Sequence, residues 1–94
     1  MAAPAPKPVS AELSLYPLTP DYVEPITDFI HRLREQPGIE VATNGLSTQL
    51  TGEYGAVMQA LTLAMAPTLQ GAVACSFVIK LLNVGIEPGR VVEV

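Results

Sequence analysis

A chain of 94 residues with nine acidic and five basic side chains carries a net charge of −4 and shows no Lys/Arg cluster, which sets it against nucleic acid as a partner. Hydrophobic residues make up 49% and charged ones only 15%, so the chain belongs with globular domains and not with disordered ones. That apolar share is high for so small a surface, and it predicts area buried between subunits.

In chain order, residues 1–10 read as a flexible Pro/Ala-rich arm, without the hydrophobic centre of a signal peptide. The folded domain is expected over residues 11–94. A first strand spans residues 11–17, with Leu13 and Leu15 on one side and Glu12, Ser14 and Tyr16 on the other. Pro17 closes it, because proline cannot donate to a sheet ladder.

Asp21 then reads as a helix N-cap with Glu24 as its capping-box partner. Tyr22, Val23, Ile26, Phe29, Ile30 and Leu33 follow at helical spacing, and Pro25 is tolerable within the first turns. Pro37-Gly38 ends the helix. A second strand covers residues 39–43, with Ile39, Val41 and Thr43 on one face.

Asn44-Gly45 is the strongest hairpin signal in the chain, since both residues adopt positive φ readily. The strand beyond it alternates Leu46 and Leu50 with Ser47, Gln49 and Thr51, and stops at Gly52. From Glu53 the pattern is helical again through Tyr54, Val57, Met58, Leu61 and Met65, with Pro67 and Gly71 bounding its end. A last long strand runs over residues 73–82, and residues 90–94 form a β-prone tail fit for an edge strand. No apolar run approaches the roughly 20 residues of a membrane helix, so no membrane partner is expected.

The order is β-α-β-β-α-β, which predicts an α+β, ferredoxin-like sandwich with two helices on one face of a four-stranded antiparallel sheet. Strand parity assigns Leu13, Leu15, Ile39, Val41, Leu46 and Leu50 to the helix side. The open face would present Ser14, Tyr16, Ser47, Gln49, Thr51, Ser76 and Val78. Such a surface is neither a charged, solvated face nor a core. It suits a wet subunit interface, a ligand floor, or both.

Ser14-Leu15-Tyr16-Pro17-Leu18, Asp21-Tyr22 with Ile26, and Thr43 followed by Ser47-Thr48, Gly52 and Val57 form a set in characteristic order and spacing. Together these stretches resemble the YkoF-like family, which is related to thiamine-binding proteins. The likeness runs from about Glu12 to Leu61. It implies a ferredoxin-like domain that pairs with another copy and binds thiamine or its hydroxymethylpyrimidine moiety. This chain has one domain where the two-domain members have two, so a homodimer would supply the second.

An aminopyrimidine offers ring-nitrogen acceptors and an amine donor, which suit hydroxyls and amides. Ser14, Thr43, Asn44, Ser47, Thr48 and Gln49 are the candidate ligand-binding residues, with Tyr16 offering stacking or a phenol. Thr43 and Thr48 also fit a plainer role as strand formers, and Asn44-Gly45 a role as a turn alone. No catalytic residue, metal or cofactor is expected: His31 has no companion at ligand spacing, and Glu12 and Glu40 have no evident partner. Cys75, the single cysteine, fits a buried inert thiol in a reducing, cytoplasmic setting. The expected function is binding of a small molecule, thiamine or a related pyrimidine, by at least a dimer. The alternatives are an ACT-like module binding another metabolite at a dimer interface, and a small dimeric α+β-barrel enzyme.

Overall fold

Alternating side chains along the first strand set the two sides of the molecule. In the computed structural model, which describes residues 7–94, β1 (Pro8–Pro17) buries Ala11, Leu13 and Leu15 and turns Glu12, Ser14 and Tyr16 the other way. There follow α1 (Val23–Arg34), β2 (Ile39–Thr43), β3 (Thr48–Glu53), α2 (Tyr54–Leu69) and β4 (Cys75–Leu82). The strands form one antiparallel sheet in the order β2-β3-β1-β4. This is the expected ferredoxin-like sandwich.

The core lies between the sheet and the helices. Leu13, Leu15 and Leu50 meet Phe29 and Leu33 of α1 and Val57, Ala60, Leu61 and Ala64 of α2. Phe29 also meets Phe77 of β4 edge-on, with ring centroids 5.0 Å apart, an arrangement worth about 0.5–1.5 kcal/mol beyond its buried area. Met58, Met65 and the half-buried Cys75 pack against this core. Arg32 ties the helices together: its Nε–H donates to the Ala64 carbonyl and its Nη2 to the Thr68 hydroxyl.

Several local expectations change. Asp21 does not cap α1; the N-cap is Tyr22, without a side-chain bond. The cause is Pro25. A helix capped at Asp21 would need the N–H of residue 25 to reach the Asp21 carbonyl, and proline has none. The first available bond therefore runs from Ile26 N–H to the Tyr22 carbonyl.

The hairpin is not a two-residue turn, and neither Asn44 nor Gly45 has positive φ. Instead a four-residue loop, Asn44-Gly45-Leu46-Ser47, joins the paired Thr43 and Thr48. Asn44 Oδ1 accepts from the N–H groups of Leu46 (2.9 Å) and Ser47 (3.1 Å), so a side chain holds the turn together. Leu46 thereby leaves the sheet and stands 90% exposed, not on the helix side.

β1 starts at Pro8, which brings residues 8–10 out of the expected arm and into the sheet opposite β3. Residues 1–6 of that arm lie outside the described residues. At the other end, β4 starts at Cys75, Val73 stays in the preceding bend, and residues 90–94 form no strand. Pro67 lies within the last turn of α2 and does not terminate it.

The segment after β4 crosses the sheet's open face. Ser10, fully buried, donates to the Val84 carbonyl (2.7 Å), and Gln49 Oε1 accepts from Gly89 N–H (2.9 Å). Gly89 requires its lack of a side chain: its φ is +76°, and a Cβ would lie 2.8 Å from Ala42 Cβ. The tail thus covers the part of the face at Ser10, Thr51, Gln49 and Ala42. It leaves open the part made by Glu12, Ser14, Tyr16, Ser76, Val78 and Lys80.

Candidate functional site

The end of β1, the first turns of α1 and the β2–β3 loop meet at one end of the sandwich. Between them lies a cavity of about 160 Å³. Its walls are apolar where β1 and α1 supply Leu13, Leu15, Ile26, Phe29 and Ile30, and polar where the loop supplies Thr43, Asn44, Ser47 and Thr48. The helix wall follows from spacing: Ile26 and Ile30 stand one turn apart on the face of α1 turned toward the sheet.

Six of the seven residues that sequence reading singles out line this cavity: Ser14, Tyr16, Thr43, Asn44, Ser47 and Thr48. Register decides what each can offer. Thr48 lies directly across from Leu13, so it shares the helix-side face and is buried. Its hydroxyl lies 3.0 Å from that of Thr43; each oxygen keeps a lone pair for a ligand donor. Ser47 points to the opposite side, where its hydroxyl donates to Glu12 Oε2 at 3.3 Å. Ser14 spends its hydroxyl proton on the Leu46 carbonyl. Tyr16 is 53% exposed at the rim. Gln49 is outside the cavity, occupied by the tail at Gly89.

The polar ligand surface inside is therefore the Thr43–Thr48 pair and the Asn44 carboxamide, set against Phe29 and the aliphatic wall. Such an arrangement sets hydrogen-bonding groups along one edge of the cavity and apolar walls beside them. Sequence reading missed the α1 wall, because Ile26, Phe29 and Ile30 read there only as core. The i, i+4 pair pointing at the hairpin end was the available signal.

A wider groove of about 400 Å³ lies on the other flank of α1, lined by Thr19, Asp21, Glu24, Asp28, Arg32, Thr68 and Cys75 among others. It is the size of a typical ligand pocket, which the hairpin-end cavity is not. Two of its charged groups have structural work, however: Glu24 sits in the first turn of α1, where a negative charge suits the helix dipole, and Arg32 is bonded to α2. The smaller cavity has the more selective mixture of walls and is the candidate site. Among the described residues no three His, Cys, Asp or Glu side chains gather as metal ligands, and no helix is long and apolar enough to cross a membrane.

The sequence profile described as the YKOF-related family matches residues 8–76, which includes every strand and helix that lines the cavity. The chain belongs to the YkoF-related family. This member matches no curated protein. Its fold is shared with the domain of unknown function DUF77 from Bacillus cereus, at a TM-score of 0.67 and 16% identity over 95% of this chain and 85% of that one. A hypothetical protein, MJ1052 from Methanocaldococcus jannascii, is similar at a TM-score of 0.62 and 24% identity, over 79% of each chain. For this YkoF-related domain, family membership suggests a small-molecule-binding role.

Proposed function

We propose that this domain binds thiamine or a related hydroxymethylpyrimidine and acts in vitamin carriage, salvage or sensing, without catalysis. One observation carries the reading: the hydroxyl pair, the carboxamide and the aromatic and aliphatic walls converge on a single cavity at the hairpin end. At about 160 Å³ that cavity is smaller than a drug-sized pocket and suits one ring. The pyrimidine is the part held, and the thiazolium would lie outside, against Tyr16 and Leu46. A cation over the Tyr16 ring gains attraction from its face.

The test is calorimetry with thiamine and with hydroxymethylpyrimidine. Both bind, with similar affinity. Thr48→Val weakens binding by about 1–2 kcal/mol, the loss expected when a buried polar group goes unpaired. Ser47→Ala leaves binding unchanged, because its hydroxyl faces Glu12. No binding of either compound at millimolar concentration would sink the vitamin reading. The runner-up, an ACT-like module for another metabolite, draws on the wider groove, where Asp21, Glu24, Asp28 and Arg32 suit a charged ligand.

The same proposal includes a homodimer or larger assembly. Among the described residues β4 has no strand beyond it, and Val78 and Leu81 on its two faces are both more than half exposed, an arrangement that invites pairing with a second copy. A sharp monomer mass by light scattering at micromolar concentration would exclude it. The proposed compartment is the cytoplasm, where a lone thiol such as Cys75 stays reduced.

A further inference from the structure

The β2–β3 loop carries a chemical feature independent of any ligand. Asn44 is one of two asparagines in the chain and precedes Gly45; the other, Asn83, precedes the β-branched Val84. Asn44 Oδ1 accepts two backbone N–H groups, from Leu46 at 2.9 Å and Ser47 at 3.1 Å. Those are the distances and the donor type that stabilise a developing oxyanion. The side-chain nitrogen has no hydrogen-bond partner among the described residues. Gly45 has no heavy atom within 4 Å of the place a Cβ would occupy, so a methyl group added there meets open space.

We propose that Asn44 is a self-modification site, converted to aspartyl or isoaspartyl residues by its own loop. The Gly45 nitrogen gives its proton to water or hydroxide and bonds to Asn44 Cγ, while the Leu46 and Ser47 N–H groups hold the oxyanion on Oδ1. The Cγ–Nδ2 bond then breaks, and ammonia leaves after taking a proton from water. Water finally opens the resulting cyclic imide at either carbonyl. Nothing is oxidised or reduced; an amide becomes a carboxylate. The aspartyl product keeps an oxygen for Leu46 and Ser47 and adds a negative charge at the cavity mouth. The isoaspartyl product lengthens the backbone and breaks the four-residue loop.

The experiment incubates the full chain in mildly alkaline buffer, folded or in urea, and reads residues 44 and 83 by peptide mapping and mass spectrometry. Asn44 converts while Asn83 persists. The folded chain reacts about tenfold faster than the unfolded one, less than the 10²–10³ of a water-excluded oxyanion hole because this loop is exposed. Gly45→Ala strongly slows conversion and keeps the parent's melting temperature, since its φ is not in the left-handed region and the added methyl meets nothing. Conversion no faster in the folded chain than in urea, or a Gly45→Ala chain that converts at the parent's rate, overturns the proposal.

Discussion

The two faces of this sheet are made by alternate residues of the same strands, yet they are held by different forces. The helix side is a dry core in which Leu13, Leu50, Phe29 and Leu33 exclude water. The other side is held by hydrogen bonds: Ser10 to Val84, Thr51 to Val9, Gln49 to Gly89, and Ser47 to Glu12. The first kind of contact is non-directional and scales with area, whereas the second depends on particular atoms meeting. The lesson is that the core fixes where the strands lie, and the polar face fixes what passes over them.

Substitutions on each face separate these contributions. Leu50→Ala, at a fully buried position flanked in register by Ala11 and Val41, should cost about 2–5 kcal/mol in urea unfolding, as large-to-small core changes do. A loss below about 1 kcal/mol would mean that the cavity collapses. On the polar face, Ser10→Ala leaves the Val84 carbonyl without its donor and should cost about 1–3 kcal/mol. Hydrogen exchange should accelerate at residues 84–89 while the β1 core stays protected. Uniform acceleration would show that the tail is part of the global unit.

Gly89→Ala acts on the same tail through the backbone. A side chain at left-handed φ costs about 1–2 kcal/mol, and the Gln49–Gly89 bond should open first. The smallest effect belongs to Lys80→Ala. Its Nζ lies 3.5 Å from Glu12 Oε1, but the two side chains are 71% and 43% exposed, so the loss should stay under about 1 kcal/mol and vanish in high salt. A larger loss would indicate that this pair is covered by a second copy.

How much could be read in advance divides along the same line. The alternation of Leu13 and Leu15, the helical spacing of Phe29 and Leu33 and the βαββαβ order were legible because burial imposes a period on the sequence. Thr43, Asn44, Ser47 and Thr48 were legible because the family likeness and the hairpin signal fell on the same stretch, and Ser14 and Tyr16 because the likeness also covers β1. The structure of the turn was not. Asn44-Gly45 has the composition of a two-residue turn, and only the atoms show that the Asn44 side chain closes a longer loop and sends Leu46 into solvent. Asp21 misled for a related reason: its capping signature was intact, but Pro25 removed the N–H that a helix begun there would use. The path of residues 83–90 was least legible of all, since a Gln49–Gly89 contact has no local signature and no period.

The central place of β1 has a consequence for the life of the chain. Of the sheet's four strands the first to be synthesised is one of the two flanked on both sides, and its second neighbour is the fourth: Ser10 pairs with Leu82 and Pro17 with Cys75. During translation β1 therefore waits with one edge unsatisfied until β4 has left the ribosome. Closing so long a loop is entropically slow, and the incomplete sheet offers its edge to any passing strand in the meantime. Nascent chains stalled just short of β4 should stay protease-sensitive, and those stalled with β4 fully emerged should not.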